Sequence, residues 1–192
     1  MKRTEYNFSG KKVNCVFDAG FDYVFTMAQK SKLIFLTDEQ VFELHREKFT
    51  DCTCICIPAG EKMKTQQTVD LIINRLIELE ADKQTYIIGV GGGVITDIAG
   101  YVAGIFKRGM KFGLVPTTIL AMVDAAIGGK NGVDVGYYKN MVGTIYQPEF
   151  IVYDYSFLNS LPFNILFNIK LSFLKQKFVY PKLFCLTLSS NH

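Results

Sequence analysis

An apolar, β-branched run, Thr85 to Val90, passes without interruption into Gly91-Gly92-Gly93 and then into an apolar pattern of helical period, Val94 to Phe106. The run lacks polar alternation, which marks a parallel strand covered on both faces. A strand, a glycine turn and a helix start leave backbone N–H groups bare, with no Cβ in the way and a helix dipole that favours negative charge. That arrangement suits a pyrophosphate. Glycine-rich turns of this kind also serve helix–strand packing, and these residues alone leave both readings open. The spacing differs from the Gly-x-Gly-x-x-Gly of the common dinucleotide fold.

The segments around this turn repeat its logic. Met1 to Phe17 predicts one or two strands, Phe21 to Lys30 a short helix, and Lys32 to Asp38 a strand ending in a polar turn. Ile55 to Pro58 closes another strand. The helix Gln67 to Ala81 then carries an apolar stripe of Val69, Ile72, Ile73, Leu76, Ile77 and Leu79. Lys111 to Val115 is a further strand, Pro116 opens the next helix, and Ile151 to Asp154 is one more strand. Alternating strands and helices predict an α/β fold with a doubly wound, mostly parallel sheet. In such sheets ligands bind beyond the carboxyl ends of the strands, so the loops after Leu36, Ile57 and Val90 become candidate binding loops.

Several side chains in these loops have two readings. Asp38 either caps the helix beginning at Glu39 or accepts hydrogen bonds from ribose hydroxyls. Glu61 and Lys64 form either a solvated charge pair or a ligand contact. Thr117 and Thr118 either cap a helix or bind a ligand. Asp124 sits among Ala121, Met122, Val123, Ala125 and Ala126, company in which an unpaired carboxylate is costly, so it is a functional candidate. Lys130 follows two glycines, and Asn131-Gly132 is a turn signal. His45 reads as a surface residue of an early helix. Cys52, Cys54 and Cys56 alternate along a strand ~6–7 Å apart, too splayed for one metal, and read as small buried or half-buried residues in a reducing cytosol.

Composition narrows the classes. With 192 residues, 49% hydrophobic and 20% charged, the chain fits a globular α/β protein. A net charge of +3, without a basic run interleaved with aromatics, gives no basis for a nucleic-acid partner. No apolar stretch reaches the ~18 residues a membrane helix needs, and Met1 to Gly10 is too polar for a signal peptide. A cytoplasmic location without membrane or nucleic-acid partners is the expectation.

The glycine turn with Asp97, then Phe106-Lys107-Arg108-Gly109, Val115-Pro116-Thr117-Thr118, Val123 to Lys130 and Lys139-Asn140 form a dense, collinear series. It resembles the 3-dehydroquinate synthase family of sugar-phosphate cyclases, over roughly Asp38 to Pro162. The resemblance implies an enzyme of the shikimate pathway for aromatic amino acids. That enzyme uses NAD and a divalent metal (Zn or Co) to convert 3-deoxy-D-arabino-heptulosonate 7-phosphate, a sugar phosphate, to 3-dehydroquinate with loss of phosphate. It implies cofactor contacts from Asp38, Glu61, Lys64, Gly92, Gly93, Val94, Asp97, Thr117, Thr118, Lys130, Lys139, Phe157 and Ser160. It also implies catalytic roles for Asp124, Lys130, Asn140 and Lys175, and an Arg108 that reaches the substrate phosphate across a homodimer interface.

The resemblance fails beyond Pro162. Residues 1–162 are expected to form the NAD-binding domain and 163–192 a remnant of the helical metal and substrate domain. Ser172 stands where the family places a metal-binding glutamate in Ala-Glu-x-x-Lys, although Lys175 keeps the lysine, and neither His45 nor His192 matches the family's ligands. A membrane-surface helix is the other reading of this apolar, lysine-bearing tail. The chain alone is therefore expected to bind NAD without turnover. The alternatives are a non-catalytic NAD-binding module and a cyclase for another sugar phosphate.

Overall fold

The computed structural model describes residues 1–8 and 10–161. The expected helical remnant, with Ser172, Lys175 and His192, lies outside them. Among the described residues nine strands are formed: β1 (Lys2–Phe8), β2 (Lys11–Phe17), β3 (Leu33–Asp38), β4 (Thr53–Ile57), β5 (Tyr86–Gly91), β6 (Lys111–Pro116), β7 (Lys130–Val135), β8 (Tyr138–Ile145) and β9 (Phe150–Tyr153). Seven make one sheet in the order β1-β2-β9-β6-β5-β3-β4, parallel throughout except for the β1–β2 pair at one edge. The helices are α1 (Val24–Met27), α2 (Glu39–Leu44), α3 (Gln66–Glu78) and α4 (Gly93–Ile105).

The central strands read as continuous apolar runs because both faces are covered. Ile34, Leu36 and Ile87 point into a core shared with α3 and α4, including Val69, Ile72, Leu76, Ile98 and Val102. Their neighbours Leu33, Phe35, Ile88 and Val90 point the other way, onto Phe21, Phe49 and Phe157. At about 25 cal/mol per Å² of apolar surface, this two-sided burial is the main force holding the sheet. Among the described residues no helix is long and apolar enough to cross a membrane.

Four local expectations are corrected. The stripe of α3 is narrower than its sequence: Val69, Ile72 and Leu76 are fully buried, whereas Ile77 and Leu79 are exposed. The helix ends at Glu78, not Ala81, because Glu80 adopts a left-handed φ of 53° and turns the chain back. Pro116 closes β6 rather than opening a helix, its register opposite Gly91 leaving no need for its missing N–H. The expected helix from Phe21 to Lys30 reduces to the single turn α1 between two short 3-10 turns, Phe21–Tyr23 and Lys30–Lys32.

A fifth correction concerns a hairpin. Asn131-Gly132 is not a turn but part of β7, which pairs antiparallel with β8 as a separate two-stranded sheet. The chain reverses instead at Gly136 and Tyr137, where Gly136 has a φ of 58°. Gly132 lies opposite Gly143, and a Cβ there would stand 2.6 Å from the Val142 carbonyl oxygen, so this glycine serves close strand approach. Asn131 turns inward and donates from Nδ2 to the carbonyls of Gly129 (2.8 Å) and Tyr146 (2.9 Å). Cys52, just before β4, and Cys54 within it are half-buried, whereas Cys56 is exposed, because β4 is an edge strand. Burial pushes the Cys54 thiol up to about 12, which keeps it protonated and unreactive.

Candidate functional site

The strand order creates the site. From β3 the chain moves outward to β4, then passes back over β3 to pair β5 on the other side. The next connection, from β5 to β6, leaves in the opposite direction to that from β3 to β4, so a crevice opens between the carboxyl ends of β3 and β5. Asp38 ends β3, and Gly92-Gly93 follow β5. Both line a cleft of about 730 Å³, together with Val94, Thr117, Thr118, Phe157 and Ser160.

Each wall has a local cause. Gly92 is the N-cap of α4 in extended conformation, and Gly93 and Val94 begin the helix, so their amides have no acceptor within it. A Cβ on Gly92 would come within 3.3 Å of Thr118 Cγ2 and narrow the cleft. Asp38 caps α2, its Oδ1 accepting from the Val41 N–H at 2.9 Å. Burial raises the Asp38 carboxyl above its usual range, against the backbone hydrogen bonds from Val41 and Gln40 that lower it. Thr118 Oγ1 accepts from the Ala121 N–H at 3.2 Å and caps the π-helical turn Ala121–Ala125, while Thr117 is buried. Phe157 and Ser160 belong to the 3-10 segment Tyr155–Ser160.

A second cleft, of about 530 Å³, lies on the other side of the first turn of α4. Val94 and Ile95 face the first cleft and Asp97 the second. Asp124, Lys130, Asn140 and Thr144 also line the second cleft. The two clefts thus share one helix terminus.

Lys64 braces the wall of the second cleft. Its ammonium lies 2.5 Å from Asp97 Oδ2 and donates to Asn140 Oδ1 at 2.6 Å. Glu61 and Lys64 are therefore not a solvated pair: Lys64 is buried, and Glu61 accepts instead from Lys139 at 2.9 Å in the open. The Asp97 carboxyl is raised by its burial, with the Lys64 ammonium pulling it down. Asn140 holds a left-handed φ of 54°, which its backbone N–H sustains by donating to Asp134 Oδ1 at 2.7 Å.

Two expectations about titratable residues are overturned. Asp124 is exposed, because the turn that carries it packs through Ala121 and Met122 and directs the carboxylate to the second cleft. Its candidacy rests on that position, not on a costly burial. His45 is no surface residue: it is 8% exposed, its Nε2 lies 2.8 Å from Ser160 Oγ, and its ring meets Phe157 at 4.5 Å. Arg108 is exposed just past the C-terminal end of α4 and lines neither cleft. The 13 residues of α4 separate it from the glycine turn by about 20 Å. Lys175 lies outside the described residues.

The sequence of residues 54–168 matches the model of the 3-dehydroquinate synthase N-terminal family. The chain belongs to the 3-dehydroquinate synthase family. A 3-dehydroquinate synthase of Sulfurovum sp. (strain NBC37-1) is 37% identical over 155 residues, covering 78% of this chain and 44% of that protein. A 3-dehydroquinate synthase of Pyrococcus furiosus is 52% identical over 108 residues, covering 56% of this chain and 32% of that protein. The chain thus matches less than half the length of these curated relatives. Among solved structures, 2-deoxy-scyllo-inosose synthase with carbaglucose-6-phosphate, NAD+ and Co2+ superposes with a TM-score of 0.74 at 28% identity, over 84% of this chain and 47% of that one. The 2-epi-5-epi-valiolone synthase of Streptomyces hygroscopicus subsp. jinggangensis 5008, with NAD+ and Zn2+ bound, gives 0.72 at 26% identity, over 80% of this chain and 46% of that one.

Three features of the site carried no usable sequence signal. The β7–β8 hairpin hides behind an Asn-Gly dipeptide. Asp134 gains its role only through that hairpin, which brings it to Asn140. His45 is six residues beyond the first residue of its helix and meets Ser160 across 115 residues of chain.

Proposed function

We propose that this chain is the cofactor-binding part of a sugar-phosphate cyclase that converts 3-deoxy-D-arabino-heptulosonate 7-phosphate to 3-dehydroquinate with loss of phosphate. The observation that carries the reading is the first cleft. It opens at the sheet's switch point, between a helix N-terminus without Cβ atoms and a carboxylate at the end of the neighbouring strand. Relatives named 3-dehydroquinate synthase reach 52% identity, well above the 26–28% of the two cyclases with other named products, and this favours the dehydroquinate reaction.

The residues present fit NAD. Gly92, Gly93 and Val94 would hold the pyrophosphate on free amides. Asp38 would accept from ribose hydroxyls with the carboxylate oxygen that does not cap α2. Thr117, Thr118, Phe157 and Ser160 would border the remaining nucleotide surface. When bound, the cofactor supplies reversible hydride acceptance.

In the second cleft Lys130 and Asn140 would orient the sugar phosphate, and Asp124 would accept a proton or hydrogen bond there. Lys64 pairs with Asp97 and donates to Asn140, both of which line the second cleft. Arg108, about 20 Å from the glycine turn along its own helix, would act on the site of a second copy. Lys139 would serve the cofactor side only after leaving Glu61.

The described residues do not fit a divalent metal. Among them no three His, Cys, Asp or Glu side chains cluster to hold one.

Isothermal titration with NAD tests this reading. Saturable binding is expected, weakened about tenfold by Asp38→Ala through loss of charged hydrogen bonds to ribose. Absence of binding by the folded protein would refute it. A panel of sugar phosphates tested for phosphate release then separates the dehydroquinate reaction from a related cyclisation.

A further inference from the structure

The segment Tyr155–Ser160 supplies one wall of the first cleft as a short 3-10 turn, whose hydrogen-bond geometry is poorer than that of an α-helix. What holds it comes from the corner that follows α2. Lys48, in the 3-10 turn Arg46–Phe49, pairs with Asp154 at 3.1 Å and lies 5.0 Å from the centre of the Phe157 ring. Asp154 also accepts from the N–H groups of Phe21 (2.9 Å) and Ser156 (2.9 Å), which fixes the start of the segment. At its far end the segment is tied by His45. This residue is the C-cap of α2, anchored by its own N–H to the Val41 carbonyl at 3.1 Å.

The protons in this contact can be assigned from the network. Ser160 Oγ lies 2.8 Å from the Phe157 carbonyl oxygen, which can only accept, so the hydroxyl proton points there. Oγ is then left as the acceptor toward His45, whose Nε2 must carry the ring proton. Burial of the ring favours the neutral form, so a single tautomer, protonated on Nε2, faces Ser160.

We propose that His45 is a positioning residue of the cofactor cleft. Its Nε2–H···Oγ bond to Ser160, with its ring against Phe157, holds Tyr155–Ser160 as a closed wall on which nucleotide affinity depends. The proposal rests on the reading of this cleft as the NAD site. Asp38 and His45 stand at opposite ends of α2, so the helix links a ribose contact to the wall across from it.

The test is titration of NAD into the wild type, His45→Ala, His45→Gln, Ser160→Ala and the His45→Ala/Ser160→Ala double variant, with thermal unfolding of each. Gln places an amide N–H near the position of the imidazole Nε2–H and cannot titrate. The proposal expects His45→Ala to weaken NAD binding about tenfold, His45→Gln to restore most of it, and the double variant to bind no worse than Ser160→Ala. A wild type that binds, with His45→Ala binding equally well, overturns the proposal and leaves the cleft reading intact. Additive losses in the double variant, or a His45→Gln as weak as His45→Ala despite native unfolding behaviour, also overturn it. Should His45→Ala not fold, the Gln and Ser160 variants decide by the same criteria. A folded wild type that does not bind NAD overturns the cleft reading and the proposal with it.

Discussion

Lys64 and Asp97 show how burial changes what an ion pair is worth. Their side chains are 7% and 15% exposed, whereas those of Lys139 and Glu61 are 69% and 52% exposed. Breaking the first by Asp97→Asn leaves a buried ammonium with no countercharge, only neutral amide oxygens to receive it. A loss of about 3 kcal/mol is expected, read by urea denaturation. Glu61→Gln is expected to leave the denaturation midpoint where it was, since water screens that pair. His45 supplies a pH dependence. Its burial, with some help from Lys48 and against Glu47 and Asp154, lowers its protonation below the usual 6.5. The unfolded chain then takes up this proton first, so stability is lost as pH falls below that value. Asp38 and Asp97, both raised, act in the opposite sense and mask part of the effect. The diagnostic quantity is therefore the difference from His45→Gln, which is expected to lose less stability between about pH 7.5 and about pH 5.5.

At the scale of elements, α4 joins the sheet, both clefts and the hairpin. Its Gly100 lies against Asn131 of β7, and a Cβ there would overlap the Asn131 amide. That amide is pinned by two carbonyls and cannot move aside cheaply. In an open helix Gly→Ala stabilises by about 0.5–1 kcal/mol. Here overpacking wins, and Gly100→Ala is expected to cost a net 1–3 kcal/mol or so, with hydrogen exchange of β7 and β8 faster than in the wild type. The same element accounts for what the sequence showed and hid. The glycine turn and the strand before it were legible because their signals are local: β-branching, absent Cβ atoms and a change of period. The hairpin was not, since Asn131-Gly132 has the local signature of a turn and only the pairing of Gly132 with Gly143 makes it a strand.

For the whole molecule, the two crossovers that part at β3 and β5 make the crevice, and any ligand of the crevice holds both sides of the sheet together. If NAD occupies it, unfolding must release the cofactor, and at a hundredfold excess over its dissociation constant stability is expected to rise by about 2.7 kcal/mol. Thermal unfolding with and without NAD measures this, and an unchanged midpoint at saturating concentration would contradict it.

The sequence by itself determined the alternating α/β architecture, the glycine turn, Asp38 at a strand end and the collinear motifs that mark the family. These are properties of short stretches, set by propensity, periodicity and spacing. Only the tertiary structure decided that Lys64 joins Asp97 to Asn140, that Asp124 is open to solvent and that His45 grips Ser160. Each depends on groups far apart in the chain, brought together by strand order and packing, and burial of a charge or a ring is a property of that packing rather than of its neighbours in sequence.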